Sequence, residues 1–328
     1  GSIRCGRAPS FLAEGSTYYS YDGHYFYASD KFAVMLNDYK NNSRSSSINP
    51  GSPYYNYFQY LPMRSSSSYS SASMDSLIAS ETRTESKMRG IGSSLVSHQN
   101  TYGVNGLLTA GIAANESAWG NSNLALTKNN IFGINAVDSN PDDAFSYASI
   151  DVCIKAFSET YMSKGYLNPK DWRYFGGFLG NKASGINVKY ASDPYWGEKA
   201  AAAAWFLDEA GGNQDQNVYT IAIKDTMANS HQNVQVRAES NAGSTVLYST
   251  GTQSNTSLLI LDNTSQNGFY KVISDGVLNS SRTGLDASSG KFDFSSMYGY
   301  VAADSIVIVN KGTNLAGVDR FMDVDGSA

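Results

Sequence analysis

The sequence predicts an α+β protein, with a helical domain enclosing one small β lobe and an all-β barrel after it. Three observations carry that expectation. Val104, Leu107, Leu108, Gly111 and Ile112 recur at i, i+3, i+4, i+7 and i+8, which is one face of a helix from Val104 to Ser117. Glu198 to Glu209 is alanine-rich and closed by Gly211-Gly212, a second strong helix with its stop signal. Beyond Asn213 the texture changes to short strand-like runs at near-regular spacing, separated by Gly, Asn and Ser, the pattern of a small barrel.

In chain order, residues 1–72 read as an accessory segment packed on the domain that follows. Asp22-Gly23 lies between the aromatic runs Tyr18–Tyr21 and Tyr25–Tyr27, a two-residue hairpin signal. Pro53 to Pro62, bracketed by Ser- and Asn-rich stretches, is expected to be an extended loop held beside the main domain. Residues 73–212 carry the helices: two short ones between Met74 and Val96, the central one, Ser149 to Lys164, and the alanine-rich one. The β lobe is expected from a strand at Asn130–Ile134, a tip at 135–143 and a returning strand at Phe145–Ala148. Residues 213–314 hold the barrel strands, at Val218–Ile223, Val234–Arg237, Thr245–Tyr248, Leu258–Leu261, Tyr270–Ile273 and Ser305–Val309, with Val277–Ser296 as an insertion. Residues 315–328 read as a linker or tail. Two cores of this kind are usually separable, so residues 1–212 are expected to fold alone.

The chain has 328 residues and a formal net charge of -5, which argues against nucleic acid, since that partner needs a concentrated basic face. No apolar run approaches the ~20 residues of a membrane helix. His24, His98 and His231 form no zinc pattern with the cysteines, and neither a metal nor a cofactor is expected. Cys153 sits in the apolar run Ile150, Val152, Ile154 and Phe157 and reads as a free core thiol, with a Cys5–Cys153 bridge left open. The 23 Tyr, 14 Phe and 4 Trp stand against 16% charged residues, a surface chemistry suited to the C–H faces and hydroxyls of sugars.

Glu116 is the candidate that carries chemistry. It follows Ile112 by four residues and so continues the edge of the apolar stripe, and Trp119, Gly120, Asn121 and Ser122 end the helix just beyond it. A carboxyl placed where core meets cleft loses hydration and holds its proton to higher pH, as a general acid must. The residues alone equally allow a partly solvated Glu that caps a neighbouring amide.

The run Ala113-Ala114-Asn115-Glu116-Ser117-Ala118-Trp119-Gly120-Asn121-Ser122-Asn123-Leu124-Ala125, followed by Lys128 to Ile134, resembles the signature of family 73 glycoside hydrolases, bacterial N-acetylglucosaminidases that cut peptidoglycan. Tyr190-Ala191-Ser192-Asp193-Pro194-Tyr195-Trp196-Gly197-Glu198-Lys199 resembles the family's Y-A-T-D-P-x-Y-x-x-K segment, with Ser192 where Thr is usual and a Tyr directly after Pro194. The resemblance covers roughly residues 54–212. It implies a lysozyme-like fold, Glu116 as general acid, and cleavage of the β-1,4 bond between N-acetylglucosamine and N-acetylmuramic acid in the glycan strands of peptidoglycan. It further implies a functional tyrosine, Tyr195 ahead of Tyr190, a second acid in the β lobe drawn from Asp142, Asp143 and Asp138, and a cleft shaped by Trp119, Asn130, Phe132 and Trp196. Where no second acid reaches the site, the substrate's own N-acetyl group would act as nucleophile. A lytic transglycosylase, or a wall-binding protein with an inactive hydrolase domain, are the rival readings. Val234–Arg237, Gly268–Val272 and Gly299–Asp304 are similar to segments of bacterial SH3 domains, which implies an SH3-like barrel that binds wall peptides. The implied setting is a monomer, secreted and associated with the cell wall.

Overall fold

The computed structural model describes residues 3–135, 144–225, 233–262 and 265–313. The chain opens with a hairpin, β1 (Tyr18–Tyr19) against β2 (Tyr27–Ala28), paired antiparallel with Tyr19 opposite Tyr27. A hairpin forms where it was expected, but its strands are shorter and residues 20–26 make a longer loop in place of a two-residue turn, within which Asp22 Oδ1 accepts the His24 N–H at 2.8 Å and Gly23 takes a positive φ of 82°. Helices α1 (Phe32–Lys40), α2 (Tyr57–Tyr60), α3 (Ser71–Glu81), α4 (Gly92–Tyr102), α5 (Gly106–Glu116), α6 (Asn123–Lys128), α7 (Ile150–Ala156, continued by a wide π-helical stretch Phe157–Tyr166), α8 (Asn187–Tyr190) and α9 (Trp196–Ala210) follow. Side-chain caps set several of these starts, with Asn56, Ser70, Asn105, Ser122 and Ser149 each accepting the amide three residues on.

Helix α5 is the axis of the helical core, and it is buried from Gly106 through Ala114, not along one stripe. Its Ala, Gly and Thr side chains are small enough for neighbours to close on every side. The closest neighbour is α9: a Cβ added at Gly111 would lie 2.7 Å from the Ala200 carbonyl oxygen and 2.9 Å from Ala204 Cβ. The two helices therefore cross backbone to backbone, running antiparallel, and the end of α5 meets the start of α9. That crossing brings Glu116 to Trp196.

Pro53–Pro62 is no loop lying beside this domain. It contains α2, and Tyr55, Tyr57, Phe58, Tyr60 and Leu61 belong to the same core as Leu107, Ile112, Phe157 and Trp205. Five large apolar side chains in one short run cannot stay at a surface when each contributes roughly 1.5–3 kcal/mol on burial.

The β lobe has no strand among the described residues. Ile131 to Ile134 and Phe145 to Tyr147 lie side by side through Phe145 N–H to Ile134 O at 3.2 Å and Tyr147 N–H to Lys128 O at 2.9 Å, and a side chain replaces the ladder between them. Asn130 Nδ2 donates to both Ile134 O and Phe145 O while its Oδ1 accepts the Ile134 N–H.

The C-terminal region holds the expected strands and one more, in two open sheets. β3 (Ile221–Asp225) lies between β6 (Asn255–Leu259) and β9 (Val307–Asn310); the other order is β5 (Val246–Ser249), β4 (Gln235–Arg237), β8 (Tyr298–Ala302), β7 (Phe269–Ile273). Among the described residues the sheets are open, meeting at the bridge Ile260–Val272, and the first sheet is also a wall of the helical core. Along β3 the side chains alternate, Ile221 and Ile223 packing with the helices and Ala222 with Leu258 and Ile308 between the sheets. β8, with its glycine, gave no strand signal; Gly299 is required there because a Cβ would lie 2.4 Å from Val236.

The two regions share more than this strand. Arg64 is fully buried and donates to the Asp275 main-chain oxygen at 2.8 Å, to Ser163 Oγ at 2.9 Å and to the Tyr102 carbonyl, with the Phe292 ring 4.2 Å from its guanidinium carbon. Burial pushes its pKa down to about 9 and that of Asp275, whose carboxylate accepts the Tyr174 O–H at 2.8 Å, up to about 6. Cys5 is exposed and Cys153 buried, and both are free, so no bridge forms.

Candidate active site

Glu116 is the last residue of α5, and Asn115, Glu116, Phe132, Gly133, Tyr161, Tyr166, Tyr190, Asp193, Trp196 and Lys199 line a cleft of about 760 Å³. The helix ends there because Ser117 turns its hydroxyl back to Ala113 O and takes the Gly120 N–H at 2.8 Å, and Ala118 and Trp119 then adopt positive φ of 49° and 58°. The two oxygens of the Glu116 carboxyl have different surroundings. Oε1 accepts the indole N–H of Trp196, with Asn115 Nδ2 at 3.5 Å. Oε2 faces Gly133, where an added Cβ would sit only 3.1 Å away and where φ is +62°, so glycine keeps this side of the acid open.

Desolvation raises the Glu116 pKa, the Asp193 charge adds to the rise, and the donors Trp196 and Asn115 oppose it. Asp193 itself is held below the usual carboxylate range, chiefly by Lys199, whose Nζ lies 2.5 Å from Oδ2. The cleft thus pairs one carboxyl whose pKa is raised by burial with one held ionised beside an ammonium. Its wall is a run of rings: Tyr166 and Tyr190 have centroids 5.4 Å apart, and Tyr190 stacks on Trp196 at 4.6 Å.

Of the expected residues, the structure brings Glu116, Tyr190, Phe132 and Trp196 together. The Tyr190 hydroxyl donates to Phe132 O at 2.9 Å, and burial followed by the Glu116 charge raises its pKa well above 10, so it is a neutral phenol. Phe132 is buried and stacked on Phe157 at 3.9 Å, contributing its backbone and one ring edge. Three other residues sit elsewhere. Tyr195, placed ahead of Tyr190, is 59% exposed and is no part of the cleft lining, because it precedes the first turn of α9 and only Trp196 turns inward. Trp119 is carried out of the cleft by its turn, its carbonyl accepting Ser86 Oγ–H at 2.7 Å, and Asn130 is buried as the loop clamp. Asp138, Asp142 and Asp143 lie outside the described residues.

Asp193 and Lys199 were not singled out from sequence, although both stand in the Tyr190–Lys199 block. The signal was the spacing of Trp196 and Lys199, i and i+3 on the helix that begins there, which gives both the same face.

A carboxyl of raised pKa beside stacked rings in an open groove is an arrangement suited to general-acid cleavage of a glycan. Comparison with known proteins agrees in kind: residues 92–208 match the model of the glucosaminidase family, described as mannosyl-glycoprotein endo-beta-N-acetylglucosaminidase. Two curated proteins from two strains of Streptococcus pneumoniae, each provisionally named endo-beta-N-acetylglucosaminidase, are 33% identical over 213 residues, which is 60% of this chain and 31% and 29% of theirs. This chain therefore spans under a third of their length. Among solved structures, a catalytic mutant of S. aureus autolysin E with the disaccharide NAG-NAM is similar at 20% identity over 47% of this chain and 73% of that one, with a TM-score of 0.34. A further crystal structure of S. aureus autolysin E gives 17% identity over 61% of this chain and 87% of that one, with a TM-score of 0.35.

Proposed function

We propose that this chain hydrolyses the β-1,4 bond between N-acetylglucosamine and N-acetylmuramic acid in peptidoglycan, as an autolysin-type endo-β-N-acetylglucosaminidase secreted to the cell wall. The observation that carries this is the asymmetric setting of Glu116, with Oε1 held by Trp196 and Oε2 open to the cleft. The proton then resides on Oε2 and passes to the leaving glycosidic oxygen while positive charge develops at the anomeric carbon. Tyr190 borders the charge and positions the acetamido group. Water attack follows, assisted by that acetamido group or by Asp142 or Asp143, without a covalent glycosyl-enzyme. Borohydride reduction of digested wall followed by mass spectrometry should give reduced glucosamine termini; anhydro-muramic ends would assign the chemistry to a lytic transglycosylase instead.

The proton assignment has a pH consequence. A general acid works only while protonated, so kcat/KM falls as pH rises through the Glu116 pKa, and the raised pKa extends activity upward. Trp196→Phe removes a donor that favours the charged form, so the alkaline limb of the pH profile should move to higher pH while the plateau falls. An unmoved limb would separate Trp196 from the acid.

The proposal extends to the C-terminal sheets as an SH3-like module that meets wall peptides, in a chain acting as a monomer. Retention of the full chain on immobilised stem peptide, and sedimentation at the mass of one chain, are the expected results; passage unretained or a larger mass would count against them.

A further inference from the structure

Trp172 is the most exposed of the large apolar side chains among the described residues, at 72%, yet the loop that carries it is tightly fixed. Asp171 accepts the Arg173 side chain at two points, 2.8 and 2.9 Å, and Asn168 and Asp171 each cap a tight turn. Next to it Tyr174 is buried and anchored on Asp275 at 2.8 Å. Tyr174 supplies the inward packing here, so the fold does not need the Trp172 indole. A rigid, solvent-facing Trp is a costly surface residue and a well-organised binding one, because little conformational entropy remains to be lost when a ligand arrives.

The loop adjoins the cleft through two links. Arg173 lies with its guanidinium carbon 5.2 Å from the ring of Tyr166, which lines the cleft. Lys189, whose Nζ is 5.6 Å from the Trp172 ring centroid, is the chain neighbour of Tyr190, another cleft residue. Lys189 is exposed and has no carboxylate within ion-pair distance among the described residues. An exposed indole and a cation that lies beside it and 5.5 Å from the Phe175 ring centroid, with no carboxylate paired to it among the described residues, therefore continue the ring wall of Tyr166, Tyr190 and Trp196 outward.

Building on the glycan-cleaving function proposed above, we infer that Trp172 and Lys189 form an outer glycan subsite. A hexosamine ring of the strand emerging from the cleft stacks on the indole, and where the strand carries no stem peptide the free lactyl carboxylate of a muramic residue meets the Lys189 ammonium. The subsite acts by binding alone and touches none of the reacting atoms. It gives the enzyme a preference for long strands over short fragments.

The test uses the full chain on peptide-free glycan strands of graded length that retain their lactyl carboxylates. Trp172→Ala should raise KM on long strands about tenfold, the effect of one lost stacking contact, with kcat unchanged and with KM on the shortest cleavable fragment unchanged. Trp172→Phe should restore most of the loss. Lys189→Gln should raise KM on long strands by a smaller factor and flatten its dependence on salt. A Trp172→Ala enzyme with the wild-type KM at every length, or one whose kcat falls equally on long and short substrates, would overturn the inference. If the wild-type chain cleaves no glycan, the function proposed above fails; long-strand binding followed by sedimentation then decides the subsite separately, surviving if it weakens in Trp172→Ala and failing if it does not.

Discussion

Glu116→Gln is expected to fold as the wild type does and to lose ~10²-fold or more in turnover of wall glycan, the usual cost of removing general acid catalysis. The amide has the shape of the acid and can still accept the Trp196 indole N–H through its oxygen, so the α5–α9 junction should keep its geometry. It has no acidic proton to place on the leaving oxygen. The mutant also ought to be no less stable. Desolvation raises the Glu116 pKa, so the folded state holds a proton that the unfolded chain releases above the ordinary carboxylate range, and stability falls as pH rises through the folded value. A neutral amide removes that penalty, and thermal melts of the two proteins should differ most at alkaline pH, in favour of the mutant. Near wild-type turnover would end the assignment of Glu116 as the acid.

The second large effect concerns the C-terminal region. Residues 1–212, expected from sequence to fold alone, should instead be insoluble or unfolded. Ile221 and Ile223 belong to the helical core, Tyr219 packs against it, and Phe292 covers Arg64 and Gly103. At roughly 1.5–3 kcal/mol for each large apolar side chain, these few residues amount to much of the 5–15 kcal/mol by which a domain is stable. The polar links go with them: Tyr57 Oη loses the Tyr219 N–H at 3.0 Å, and Ser68 loses its 2.6 Å hydrogen bond to Asp215. A soluble 1–212 fragment with native circular dichroism and full activity on soluble glycan would show this estimate of the interface to be mistaken.

Gly133 illustrates how local and tertiary information divide. From sequence it fell inside the strand expected at Asn130–Ile134, whereas its φ of 62° belongs to a turn. Its second reason, the room it leaves at Glu116 Oε2, depends on α5 ending opposite that turn. Asn130 reversed in the same way. An Asn before an apolar run could face a sugar or staple a loop, and which it does depends on where Phe145 returns, a contact fifteen residues away in sequence.

By itself the sequence determined the elements whose causes are local: a hairpin near Asp22-Gly23, though not its loop length, the position of Glu116 at the end of α5, the alanine-rich α9, the onset of strands beyond Asn213 and the two blocks that resemble a glucosaminidase. Each follows from periodicity, a cap or a turn within a few residues. Only the tertiary structure decided which aromatic side chains meet the acid, that Trp196 and not Tyr195 turns inward, that Asp193 and Lys199 share the cleft, and that β3 is also a wall of the helical core. These depend on helix crossings such as Gly111 on Ala200, where the absence of one side chain sets how near two backbones come, and a linear pattern does not contain the partner across that gap.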